Sequence, residues 1–416
     1  MHLFSSWDVA ALLLFLASLF TYLNIKWFKL PTTIGLMAQA LGLSVILLAL
    51  GLVFPSLPEL ARDILDQIDF SDLLLNLMLS FLLFAGALST HLEKLKEEFW
   101  PILTLATLGI LLTTGIIATA LWLVLPWVGI SISYLHCLLF GALISPTDPI
   151  AVLAMMKNLH VSKNLEIKIA GESLFNDGIG VVIFLTLLQI SQQGAEQVST
   201  TEIALLFVQE VVGGAALGAL IGFVLFHMFR VVDVKHVEME VLMTLAGVLV
   251  GTQVAHHLHL SAPLAMVVAG LFIGNEGRDL KMAEYKSEYI IKFWHLLDEV
   301  LNTILFMVIG LEVMILAFQI EFVWASLIAI VVVLGSRFLG VGIPIYFLRK
   351  IRPFETGTVR ILTWGGLRGG ISVALALSLP DFEHKQMLVF ITYAVVVFSI
   401  IFQGLTLSRV IKRFHN

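Results

Sequence analysis

Six ionisable side chains, Asp148, Glu172, Asp177, Glu312, Arg337 and Arg368, stand inside long apolar runs. A carboxylate or guanidinium held away from water costs on the order of several kcal/mol, so it must face a partner or a polar cavity. Four of the six fall in three short segments. Ser145-Pro146-Thr147-Asp148-Pro149 carries two prolines. Each lacks a backbone N–H and its ring clashes with the preceding turn, so a helix must break or unwind there. In Gly171-Glu172-Ser173-Leu174-Phe175-Asn176-Asp177-Gly178, helical spacing puts Ser173 and Asp177 on one face, and Glu172 and Asn176 on a neighbouring face. Gly171, Gly178 and Gly180 would let the broken segment approach. Trp364-Gly365-Gly366-Leu367-Arg368-Gly369-Gly370 is the second place where helix propensity collapses inside an apolar run.

Such a set suits a dehydrated monovalent cation. Na⁺ needs hard oxygen ligands, which a carboxylate, a hydroxyl and freed carbonyls supply. One carboxylate that holds either a proton or the cation, never both, exchanges one for the other. Asp177 is assigned that role, with Ser173 and the backbone of Thr147 as ligands. Asp148 is expected to orient water or to cap a half-helix N-terminus, where negative charge is favoured. Glu172 reads as a structural partner of an arginine, Arg337 first and Arg368 second.

The elements that position these groups follow from composition. Of 416 residues, 59% are hydrophobic and 13% charged, against about 45–50% and about 25% in soluble domains. A bilayer accommodates that apolar excess; a soluble surface does not. The net charge of −6 is a remainder spread over loops, and no basic run suggests nucleic acid. Cys137, the single cysteine, excludes an intramolecular disulfide. The N-terminus has no charged n-region or small-residue cleavage site and reads as mature.

A span needs about 20 apolar residues. Thirteen are counted, at approximately 9–25, 31–54, 70–90, 100–126, 134–157, 166–190, 203–229, 238–258, 261–275, 288–318, 323–348, 357–379 and 387–408. The gaps after odd-numbered spans and the span ends bordering them, with the C-terminal tail, hold twenty of the twenty-four lysines and arginines, Lys157, Lys235, Arg278, Lys281 and Lys286 among them. Positive charge favours the cytoplasmic side, so the N-terminus is expected outside and the C-terminus in the cytoplasm. With span 7 as a linker, two inverted six-helix halves result, and the two broken segments are the fifth helix of each. Paired interrupted helices point to a transporter's ion site. The expected fold class is an all-α polytopic membrane protein with about 13 transmembrane helices and a pair of broken, crossing helices.

These residues resemble the NhaP-type branch of the cation/proton antiporters, related to the Na⁺/H⁺ exchangers. The likeness rests on the three segments above, with Ile150-Ala151-Val152 extending the first. Phe293-Trp294 and Phe306-Met307-Val308-Ile309-Gly310-Leu311-Glu312 also resemble the family's long helix between domains. The resemblance implies a homodimer in a bacterial-type inner membrane. Residues 1–99 and 237–320 would form the dimerisation domain, 100–190 and 321–416 the mobile core, and 191–236 the linker helix. It implies that Asp177 carries the ions, that Asn176 is its structural neighbour and that Glu172 pairs with a core arginine. Asn-Asp at 176–177 implies electroneutral exchange, one cation per proton. Many relatives carry a glutamate in span 3, where this chain reads Phe84-Ala85-Gly86-Ala87.

Other signals are read plainly. His256, His257 and His259 form a solvated outer loop, and Asp63, Asp66, Asp69 and Asp72 a wet outer connection. No cofactor is expected, Na⁺ and H⁺ being cargo, and the bilayer lipid is the surrounding partner. The alternative functions on this scaffold are K⁺/H⁺ exchange and Na⁺-coupled organic anion transport. A channel lacks a repeated filter segment. An enzyme built on Ser173 lacks a histidine at its depth.

Overall fold

The computed structural model describes residues 6–65, 67, 69–159, 161–193, 200–231, 237–279 and 284–414. Lys235, Lys281 and Asp66 lie outside the described residues, as do the side chains of Lys157, Arg278 and Lys286. The described chain is helical: α1 (Ser6–Leu23), α2 (Thr32–Gly51), α3 (residues 70–89), α4 (Phe99–Val128), α5 (Tyr134–Ile144), α6 (Ile150–Asn158), α7 (Lys163–Gln193), α8 (Thr200–Val231), α9 (Val237–His257), α10 (Ala262–Asp279), α11 (Glu284–Glu312), α12 (Ile320–Leu348), α13 (Thr358–Trp364), α14 (Gly370–Leu377) and α15 (Lys385–Phe414). Nine helices among the described residues are long and apolar enough to cross a membrane. The broken pairs α5/α6 and α13/α14, with α10 and α11, complete thirteen crossings. The broken pairs are the fifth segments of two six-span halves flanking α8.

Two departures from the expected spans meet at Arg62. The tenth span closes at Glu312 rather than 318, because a tight 3₁₀ turn, Val313–Ile315, follows and the chain then extends at Leu316. A short amphipathic helix, Ser56–Leu65, occupies the gap before α3. Its Arg62 donates through Nε to the Met314 carbonyl at 3.0 Å and so ties down that turn.

Helices in lipid gain little from hydrophobic burial against each other, so close packing of small residues holds them together. The crossing of α10 on α3 is the clearest case. A Cβ at Gly270 would stand 2.7 Å from the Phe84 carbonyl oxygen and 2.8 Å from Ala87 Cβ. Ser44 on α2 donates to the Gly310 carbonyl on α11 at 2.9 Å. Trp294 of α11 packs on Phe81 and Phe84 of α3 and donates to Thr244 of α9 at 2.9 Å. That apolar cluster, drawn from α3 and α8–α11, is separate from the larger one that encloses the broken helices.

The backbone contact at Gly270 leaves no slack. Gly270→Ala is expected to cost about 1–3 kcal/mol by overpacking, read as a lower melting temperature in detergent. Gly86→Ala on the same α3, where an added Cβ meets only Leu174 Cδ1 at 3.8 Å, should melt with the wild type.

Candidate functional site

Unwinding a helix inside a membrane frees backbone groups that water cannot reach, and each needs a partner. At the first break, the Asp148 N–H donates to the Leu367 carbonyl of the second break at 2.8 Å, forming a single antiparallel bridge where the two extended segments cross. The Thr147 carbonyl accepts from Ser173 Oγ at 2.6 Å. Asn176 turns its amide onto Thr147, donating to Oγ1 at 2.8 Å and accepting from the backbone N–H at 3.5 Å. Arg368 Nη1 donates to the Ser145 carbonyl and, at 3.1 Å, to that of Pro146. At the second break, the Arg368 N–H donates to Ser399 Oγ at 3.0 Å, and Gln403 caps the Trp364 carbonyl at 3.1 Å. Ser399 and Gln403 both lie in a π-helical turn of α15, Phe398–Gln403. Such bulges re-aim side chains that a regular helix would point elsewhere.

Charge follows the half-helices. Asp148 Oδ1 accepts from the Ile150 N–H at 2.9 Å, at the positive end of α6. The Arg368 guanidinium lies on the carbonyl end of α5, the negative pole. Glu172 meets Arg337, which donates through Nη1 at 2.6 Å; both side chains are at most 5% exposed. Arg368 therefore serves the α5 carbonyls, and among the described residues it is Arg337 that hydrogen-bonds Glu172. The glycines of the second break leave room for these groups. A Cβ at Gly366 would stand 2.6 Å from Arg337 Nε, and one at Gly369 would stand 2.6 Å from Asp148 Oδ2. On α7, Gly180 lies against Pro146, whereas Gly171 and Gly178 meet Ile102 and Leu264 instead.

Thr147, Asp148, Glu172, Ser173 and Arg337 line a cavity of about 10 Å³, room for about one water-sized occupant. Asp177 lies one turn along α7 from Ser173, beyond that cavity's lining. It is buried, with no hydrogen-bond partner among the described residues, and within electrostatic reach of Asp148. Thr147, Asp148 and Ser173 thus gather carbonyl, hydroxyl and carboxylate oxygens at the crossover, with Asn176 fixing the loop that presents them and Asp177 one helical turn further along α7. Glu312 is buried elsewhere, beside Tyr393 of α15. No sequence motif marked Asp298 of α11, which acts electrostatically on Asp148. The signal available was the spacing of Asp298, Asn302 and Leu305 along one helical face.

Residues 12–413 match the family described as sodium/hydrogen exchanger, transmembrane. The chain is 46% identical, over 98% of its length and 97% of the relative's, to the Na⁺/H⁺ antiporter NhaP of Pseudomonas aeruginosa. It belongs to the sodium/hydrogen exchanger family. The Na⁺/H⁺ antiporter NhaH of Halobacillus aidingensis is 32% identical over 99% of both chains. The solved sodium proton antiporter MjNhaP1 of Methanocaldococcus jannaschii superposes with a TM-score of 0.77 over 100% of both chains at 19% identity, a likeness of fold. In this member of the exchanger family, α3 brings Ala85 and Gly86, and no carboxylate, to the stretch Phe84–Ala87.

The Glu172–Arg337 pair gives a direct test. Arg337→Met leaves a buried carboxylate uncompensated and should cost about 3–5 kcal/mol, read as a lower melting temperature. Adding Glu172→Gln to it should recover part of that loss.

Proposed function

We propose that the protein exchanges Na⁺ for H⁺ across the membrane, one for one, by competition at Asp177. The observation that carries the reading is the crossover, where oxygens of Thr147, Ser173 and Asp148 line one small cavity and Asp177 stands a helical turn from Ser173, in a chain of the exchanger family. A dehydrated cation takes the Thr147 carbonyl, the Ser173 hydroxyl and the Asp177 carboxylate as ligands. Asp148 holds the N-terminus of α6 and water. A proton on Asp177 removes the charge that the cation needs. Loaded with either ion, the site has the same net charge, so the membrane potential does not drive the cycle. Glu172 with Arg337, and Arg368 on the α5 carbonyls, keep the core intact in both states.

The reading extends to the assembly. Residues 1–99 and 237–320 form a dimerisation domain, residues 191–236 the linker helix, and residues 100–190 and 321–416 a core that carries the ions. The separate apolar cluster around Trp294 supports that division in part. A core that moves against a fixed frame needs its own packing. Na⁺ and H⁺ are cargo, and the reading assigns no resident cofactor. The placement of lysine and arginine supports an inner membrane location with the N-terminus outside and the C-terminus in the cytoplasm.

Proteoliposomes with an imposed pH gradient and an internal pH dye test the function. Addition of Na⁺ should collapse the gradient in wild type, with Li⁺ and K⁺ run beside it to name the cation. Asp177→Asn should respond no more than protein-free vesicles, and a fully active Asp177→Asn would overturn its assignment. Competition also sets the pH dependence. As pH falls, the apparent KM for Na⁺ should rise while the rate at saturating Na⁺ holds.

A further inference from the structure

One face of α11 turns toward the crossover. Leu305 packs against the second break: a Cβ at Gly370 would stand 2.6 Å from Leu305 Cδ1. Gly369, the preceding residue, lies against the Asp148 carboxylate. Asn302 and Asp298 precede Leu305 by three and seven residues and share its helical face. Asn302 is only 4% exposed and donates through Nδ2 to Asp298 Oδ1 at 3.0 Å. Its own Oδ1 is buried with no partner among the described residues. A buried amide oxygen without a protein donor is free to meet a water or a cation.

Asp298 and Asp148 are both half-buried, whereas Asp177 is buried. Its neighbours on the outer side are His295 and Glu299, an exposed pair 3.6 Å apart. On the inner side, Asp298 acts electrostatically on Asp148, and Asp148 on Asp177. Carboxylates therefore run in sequence from the exposed face of α11 to Asp177. The last two belong to the broken core, and the first to the long helix beside it.

We propose that Asp298 and Asn302 form a loading site for a monovalent cation on α11, one step outside the crossover. A cation there takes the carboxylate and the free amide oxygen as ligands, keeps water on its remaining positions, and passes inward to Asp148 and Asp177. A hard monovalent ion fits because both donors are oxygens. The site concentrates cations at the mouth, so its loss shows in affinity and leaves the turnover of a saturated carrier intact.

This inference rests on the exchange reading, and the two fail separately. Wild-type activity with a silent Asp177→Asn keeps that reading, whatever Asp298 does. In the same proteoliposomes, Na⁺ is titrated against Asp298→Asn, Asp298→Glu and Asn302→Ala. Asp298→Asn should raise the apparent KM for Na⁺ about tenfold, since an acid-lined mouth concentrates cations by about that factor or more. The saturating rate should stay within about twofold of wild type, the mark of lost ground-state binding. Asp298→Glu should restore the low KM, and Asn302→Ala should raise it. Raising ionic strength with choline chloride should narrow the gap between Asp298→Asn and wild type. Asp298→Asn with an unchanged KM, or with a lower rate at unchanged KM, overturns the proposal and leaves the Asp298–Asn302 hydrogen bond as helix support. Should Asp298→Asn fail to purify as a single species, Asn302→Ala decides: a raised KM supports the site and an unchanged KM overturns it.

Discussion

A broken helix inside a bilayer has no water to turn to, and that constraint organises the centre of this molecule. Every backbone group freed around Thr147 and Leu367 that the hydrogen bonds account for is met by a group from another element: a neighbouring strand-like segment, a serine, an asparagine, an arginine, a glutamine. An unmet donor or acceptor there would cost several kcal/mol, on the order of the stability of a whole domain. Those partners cannot be placed independently. Asp148 and Leu367 share one bridge, so the two breaks hold each other open, and α7 and α15 must stand where their side chains can reach.

The same geometry arranges charge. Two half-helices end and two begin near one plane, which sets partial charges of both signs close together. Arg368 lies on the carbonyl end of α5 and Asp148 on the N–H end of α6, so each formal charge meets the opposite pole. Glu172, the residue before Ser173, and Arg337 neutralise each other beside the same cavity. What remains is Asp177, buried without a hydrogen-bond donor among the described residues. A carboxylate in that position is uncommitted, and an uncommitted carboxylate is what alternating occupancy by two cations requires. The glycines of the second break serve this arrangement directly, since a side chain at 366 or 369 would occupy the space of Arg337 or Asp148.

Around this centre the packing falls into two apolar clusters, with α3, α9 and α10 drawn to Trp294 and the broken helices enclosed by the other. Small residues set the closest crossings, as at Gly270 on α3. The long helix α11 belongs to both settings. Its Trp294 end lies in the smaller cluster, and its Leu305 face touches the second break.

Much of this was legible from residues alone. The apolar runs and the alternation of lysine and arginine revealed the thirteen crossings, because lipid imposes a length and a charge rule on every span. Proline and glycine marked both breaks, because each residue type alters the backbone locally. The spacing of Ser173 and Asp177 placed them on one face, because helical periodicity is a property of neighbours in the chain. Contacts between distant elements were decided only by tertiary structure. Arg337, not Arg368, reaches Glu172, since a guanidinium's reach depends on where two helices cross. The antiparallel bridge from Asp148 to Leu367 joins residues more than 200 positions apart. Asp298 carries no motif at all, and its approach to Asp148 follows from the packing of Leu305 on Gly370. Local chemistry is written in the order of the residues; which local pieces face one another is settled by the packing of helices around the two breaks.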